Sequence, residues 1–202
     1  FQKGGNLVKA DVLDFSFDAD GVSGLSTTSV VINTRRVVIP AGVWSKTLCE
    51  RLSLPVPLES HRGYHATIQN SNITLRHMCF PVDYKFAITP MTMGLRIAGT
   101  VEFAGLGQRP NYGRVDKLVN SCHAILEGLN SEHYTQWMGH RPCLLDSLPI
   151  IGESQKHPNI FFAFGHGHQG LVGASQTGKV ISEIARRAAP SMPLTPYSID
   201  LF

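Results

Sequence analysis

The stretch NIFFAFGHGHQGLVGASQTGKVISEIA, residues 159–185, decides how the chain is read. After Asn159, residues 160–164 form a short, fully apolar run that predicts a strand. Gly165, Gly167 and Gly170 follow, and glycines let a strand turn sharply into a helix because they enter left-handed backbone at little steric cost. A helix is expected from about Gly170 to Arg187, with Ser175 and Thr177 tolerated inside it and Pro190 ending it.

The spacing of the three glycines is G-x-G-x-x-G, which in other chains cradles a dinucleotide pyrophosphate. That use needs a second strand after the helix, with an acidic residue near its end, and here only a proline-rich tail follows. Glu183 is at a suitable distance but falls inside the predicted helix. His166 and His168 suggest zinc, with His140 or Cys143 as distant partners, yet no H-E-x-x-H or cysteine pair supports a metal and none is expected. What remains is a bare glycine turn before a helix N-terminus, whose free N–H groups and positive dipole end favour an anionic or electron-rich partner.

Working outward, LVKADVL (7–13) predicts a strand, and Asp20-Gly21 signals a hairpin turn. SVVINTRRVVIPAG supplies two β-branched runs, the second ending at Pro40-Ala41-Gly42, after which Val43, Leu48, Leu52 and Leu54 suit a short helix. Pro55 and Pro57 stop it. From Arg62 to Thr100, YHATI, ITLRHMCF, YKFAITPM and GLRIAGTVEFAG read as strands of an antiparallel sheet. Residues 113–129 carry Val115, Leu118, Val119, Cys122, Ile125, Leu126 and Leu129 on a helical period. HYTQWMGHRP and LLDSLPIIGES are expected to be extended with turns. The fold class is therefore α/β, in part α+β.

With 202 residues, 43% hydrophobic and 16% charged, the composition is that of a globular protein. The formal net charge is +3 and no Lys/Arg block exceeds two residues, so a nucleic-acid partner is not expected. The four cysteines are widely spaced and predict reduced, mostly buried thiols. No apolar run approaches a membrane span. The opening FQKGGNLVKADV has no initiator methionine and reads like the middle of a protein.

Three separated segments in this order, RRVVIPAGVWSKTL (35–48), WMGHRPCLLDSLPIIG (137–152) and the stretch 159–185, resemble the C-terminal portion of FAD-dependent oxidoreductases of the D-amino-acid oxidase and dehydrogenase family. YKFAITPMTMGLRIAGTVEFAG (84–105) is most similar to the dehydrogenase branch. The resemblance implies a partial Rossmann-type FAD-binding domain (1–57), an antiparallel substrate domain (58–155, with helix 113–129), and a strand and helix returning to the FAD-binding domain (156–202). The family's own phosphate fingerprint has no counterpart in this sequence. The enzyme implied is the full-length parent, with this chain alone expected to be inactive.

The resemblance places Ala41, Gly42 and Trp44 beside the nucleotide portion of FAD, although Trp44 suits core packing equally well. It sets Gly165, His166, Gly167, His168, Gln169 and Gly170 beside the flavin ring, with the following helix favouring the reduced state. Arg141 is the expected substrate-carboxylate ligand, since a guanidinium forks onto a carboxylate; the rival role is a salt bridge with Asp146. Tyr84, Tyr64 and His65 are further substrate-pocket candidates. No side chain is expected to act as nucleophile. The implied reaction is oxidative deamination of a D-amino acid to a 2-oxo acid and ammonia. A glycine or sarcosine oxidase, or a non-catalytic domain of the same shape, are the alternatives. Oxygen and a membrane quinone remain alternative electron acceptors, the implied location is cytoplasmic or on the inner membrane face, and homo-oligomerisation stays open.

Overall fold

The computed structural model describes residues 4–202; the first three residues of the opening stretch lie outside it. The chain divides into two compact units, one ending at Glu59 and resuming at Pro142–Phe202, the other Ser60–Arg141.

The first unit begins with strands β1 (Val12–Asp18), β2 (Gly21–Thr27) and β3 (Val31–Asn33), which form an antiparallel sheet in that order. Gly21, at φ +112°, makes the hairpin turn that Asp20-Gly21 predicts. The first strand lies later than LVKADVL suggests, because β2 pairs back only as far as Val12, opposite Thr27. A second sheet is built from β4 (Val37–Ile39), β9 (Ile150–Glu153) and β10 (Ile160–Phe164), with β10 central, parallel to β4 and antiparallel to β9.

The unbroken apolar run of β10 is explained by burial on both faces. Ile160, Phe162 and Phe164 join Val37, Ile39, Leu52 and Leu58 in one core. Phe161 turns the other way, into a cluster with Ile151, Val180 and Ile181. Val180 and Ile181 belong to helix α3 (Gly170–Ala185), and Leu52 follows helix α1 (Ser45–Arg51). A single 3₁₀ turn, Gly42–Trp44, precedes α1. At the end of α3, Arg187 takes a left-handed φ of +61° and pairs with Glu153 at 2.5 Å.

The second unit is a four-stranded sheet in the order β6 (Ala87–Met91), β7 (Gly94–Phe103), β5 (Glu59–Ile68), β8 (Tyr134–Cys143), with β5–β7 and β6–β7 antiparallel as expected. ITLRHMCF is not a strand and contributes one isolated bridge, Cys79 to Ile88. Asn70 and Asn72, at φ of +56° and +53°, turn the chain away beforehand. Helix α2 (Gly113–His123) packs one face of the sheet, with Val115 and Val119 against Tyr64 and Ala66, and Leu118 and Cys122 among Ile68, Ile88 and Ile97. The expected helix to Leu129 stops early; Ile125, Leu126 and Leu129 stay in the core through tighter turns, with Leu129 N–H donating to Leu126 O at 3.2 Å.

The two compact units change over after Glu59 and Arg141, beside the expected divisions at residues 57 and 155. Residues 142–155 fall in the first unit because Ile150 and Ile151 pair with Phe164 and Ala163 of β10. Three of the four cysteines, Cys49, Cys122 and Cys143, are buried, and burial pushes the Cys49 thiol up to about 12 and the Cys122 thiol to about 11. Among the described residues no helix is long and apolar enough to cross a membrane.

Candidate functional site

In the first unit, the chain leaves β10 through Gly165 and Gly167, at φ of +85° and +54°. Both angles are left-handed, so the glycines answer a backbone demand. A Cβ at Gly165 would also lie 2.8 Å from Leu144 Cδ1. The loop is pinned at several points. Gly167 N–H donates to Pro142 O at 2.8 Å, and Gln169 N–H to His166 O at 2.9 Å. His166 bridges Cys143, and its Nε2 lies 2.9 Å from Thr177 Oγ1 on α3. Burial lowers the His166 pKa, favouring the neutral ring. His168 and Gln169 are exposed at the turn.

Helix α3 starts without a side-chain cap or an acidic residue in its first turn, leaving its N-terminal N–H groups to other partners. Leu171 and Val172 stand 93% and 79% exposed there, a costly placement for two aliphatic side chains in water. Beside them lies a cleft of about 340 Å³, lined by Val38, Pro40, Ala163, His166, Gly170 and Thr177 among others. Pro40 leads into Ala41 and Gly42. Gly42 has φ +56°, and a Cβ there would meet nothing within 4 Å, so its backbone stands bare. Trp44 is 59% exposed, which excludes the core role. Bare glycine backbone, an uncapped helix end and exposed apolar side chains fit a flat, electron-rich group such as a flavin.

In the second unit, β5 alternates its residues between two faces. Arg62 and Tyr64 point to the side packed by α2. Arg62 is fully buried and donates to the carbonyls of Gly105 and Gln108 at 2.8 and 2.9 Å. The Tyr64 hydroxyl donates to Glu102 and accepts from Asn111 N–H at 3.0 Å. That hydroxyl first, then the charges of Arg114 and Arg62, hold the Glu102 carboxyl below its ordinary range against the opposing effect of burial. These groups form a self-contained internal network.

His61, Gly63, His65 and Thr67 lie on the other face. Arg141, on β8, lays its guanidinium over Gly63, where a Cβ would collide with it. Its Nη1 is buried without a hydrogen-bond partner. The expected rival, Asp146, instead accepts from Leu148 N–H at 3.0 Å. Two residues before Arg141, Gly139 leaves room for the Trp137 ring, which stacks on His65 at 4.9 Å between centroids and 21° between planes. Burial, and then the charge of Arg96, lowers the His65 pKa.

Of the sequence-expected substrate residues, the structure therefore brings Arg141 and His65 onto one face. Tyr64 lies on the other. Tyr84 sits with Lys85, Arg114 and Lys117 in a separate cleft beside α2. Gly63, Arg96 and Trp137 were missed. The signal for Trp137 was the alternation Trp137-x-Gly139-x-Arg141, which in a strand puts all three on one side. Among the described residues no three His, Cys, Asp or Glu side chains gather as a metal would need.

A family profile described as FAD dependent oxidoreductase matches residues 2–184. A D-amino-acid oxidase from Bradyrhizobium diazoefficiens is 35% identical, over 98% of this chain and 48% of its own length. A D-amino acid dehydrogenase from Paramagnetospirillum magneticum is 27% identical, over 92% of this chain and 44% of its own. The crystal structure of glycine oxidase from Geobacillus kaustophilus superposes with a TM-score of 0.81 at 24% identity, over 94% of this chain and 51% of that one. The chain spans about half the length of the curated relatives it matches. On the match over residues 2–184, the chain belongs to the FAD dependent oxidoreductase family, and FAD is the cofactor expected of the full-length protein.

Proposed function

We propose that the full-length protein oxidatively deaminates D-amino acids, with the second unit presenting the substrate face and the first unit part of the flavin site. The observation that carries the reading is Arg141, whose buried Nη1 has no hydrogen-bond partner while its guanidinium rests on a bare glycine. A buried guanidinium nitrogen left without an acceptor is costly, and a carboxylate ligand would satisfy it with paired hydrogen bonds. The 35% identical D-amino-acid oxidase supports the same class of substrate.

Ala41, Gly42 and Trp44 would border the nucleotide portion of FAD, and residues 165–170 its ring. FAD supplies a two-electron acceptor. The residues of this chain supply binding and orientation. Arg141 holds the carboxylate and so fixes which face of the α-carbon is presented. The uncapped N-terminus of α3 favours negative charge near the loop. His166, kept neutral by burial, braces the loop against Thr177. Loss of the α-hydrogen as hydride from a neutral amine leaves an iminium. Water hydrolyses this to the 2-oxo acid and ammonium.

The test is steady-state oxidation of D- and L-amino acids by the full-length protein with an artificial electron acceptor, together with its visible spectrum. A yellow protein that turns over D-isomers, and loses at least 100-fold in kcat/KM as R141A, is expected. Preference for L-isomers or for glycine and sarcosine, or unchanged kinetics in R141A, would reject the reading.

A further inference from the structure

The face that carries Arg141 holds a second unsatisfied arginine. Arg96 pairs with Thr67 across β5–β7 and with Thr89 across β6–β7. Directly paired residues of antiparallel strands project to the same side. Arg96 therefore shares the side of Gly63, His65 and Thr67. The placement has two independent supports. Ala66 and Ile97, the neighbouring pair in the same register, turn the opposite way, to Val119 and Leu118 of α2. The Arg96 charge also acts on His65, two residues along β5 from both Gly63 and Thr67.

Arg96 Nε is buried and, like Arg141 Nη1, has no hydrogen-bond partner. The carboxylates of this unit are engaged elsewhere or stand apart. Glu102 pairs with Arg62 and Arg114 at 3.5 Å on the α2 side. Asp116 takes the Tyr134 hydroxyl and the Gln136 amide at 2.9 and 2.8 Å. Among the described residues neither Arg96 nor Arg141 enters an ion pair. Arg62 shows what this protein does with a structural arginine: it surrounds the guanidinium with carbonyls and a carboxylate.

Two like charges share this face, and each has a buried nitrogen left unpaired, which is a desolvation cost without return. An ordinary amino acid brings one carboxylate and could satisfy only one of them. A ligand with a second carboxylate would satisfy both. Thr67 and Thr89, the residues paired with Arg96, add hydroxyl groups, while Trp137 stacked on His65 forms an apolar wall alongside.

We propose that the preferred substrate is an acidic D-amino acid, with Arg141 taking the α-carboxylate and Arg96 the side-chain carboxylate. Arg96 is then a specificity-determining residue. The assignment of Arg141 rests on the deaminase reading above; the two-anion character of the face does not depend on turnover.

The experiment uses the full-length FAD-loaded protein. It compares kcat/KM for D-glutamate against D-glutamine and for D-aspartate against D-asparagine, in wild type, R96Q and R96K. At least one acid is expected to exceed its amide tenfold. R96Q should cut that ratio at least tenfold, and R96K, which keeps the charge, should retain part of it. In parallel, calorimetry measures binding of succinate and butyrate, which differ by one carboxylate. Succinate should bind at least tenfold more tightly, and R96Q should abolish the difference. If no D-amino acid is oxidised, the deaminase reading falls, and the succinate–butyrate comparison alone decides this one. Amides used as well as acids, equal binding of the two ligands, or an R96Q ratio equal to wild type would each overturn it.

Discussion

The guanidinium of Arg141 occupies the space in which any side chain at position 63 would begin. Gly63 has no left-handed backbone to explain it, so its bareness serves the arginine. The colliding atoms belong to the end of a flexible side chain, which can swing away. G63A is therefore expected to stay folded, within about 1 kcal/mol of wild type, while the guanidinium moves. Its kcat/KM for D-amino acids should fall at least tenfold with KM rising. Adding G63A to R141A should then cost almost nothing more, since neighbours that act through one group are not additive. Full additivity in that double-mutant cycle would show that Gly63 does not act through Arg141.

Gly165 makes two demands at once, a φ of +85° and a Cβ position 2.8 Å from Leu144 Cδ1. G165A should cost on the order of 1–3 kcal/mol in backbone strain and shift the loop that leads into α3. Denaturation of the full-length protein reads the first effect, and the flavin-to-protein absorbance ratio after purification reads the second. A variant with wild-type flavin content would separate this loop from the cofactor.

Three histidines, His65, His140 and His166, have pKa values lowered chiefly by burial. Each takes up a proton more readily unfolded than folded, so stability rises with pH wherever the unfolded chain binds more protons. The stabilisation is complete above the unfolded value of about 6.5 and is lost as pH falls below it. The denaturation midpoint should therefore drop between pH 7.5 and 5.5. Replacing His166 by Gln should flatten that drop in part, because only one of the three groups is removed. A midpoint independent of pH over this range would contradict the burial.

Phe161 is fully buried between β10 and α3, in contact with Ile151, Val180 and Ile181. F161A opens a cavity that this small cluster cannot close, at a cost of roughly 3–5 kcal/mol. Loss of soluble yield or a denaturation midpoint lowered by that amount is expected. A loss below about 1 kcal/mol would mean that α3 is not anchored through this residue.

Much of this architecture follows from short-range properties of the sequence. The apolar run at 160–164, the glycine turn and the period of 170–185 each report on neighbours a few residues apart, as do the Asp20-Gly21 hairpin and the turn at Gly42. Where such signals stood without a long-range partner they misled: ITLRHMCF has strand composition but only one bridge to pair with, and residues 124–129 keep a helical apolar pattern while turning more tightly. Arg141 was legible from the fork geometry of its side chain. Gly63 and Arg96 were not, because register across strands far apart in sequence sets their value, and residue type carries no trace of register. The sequence by itself determined most of the elements, the family and the glycine loop. Only the tertiary structure decided which side Tyr64 and His65 face, and that two arginines, each with a buried unpaired nitrogen, share one surface with no ion pair to either. Local backbone preference acts over one turn or one strand, whereas the charge balance of a sheet face depends on which strands pair.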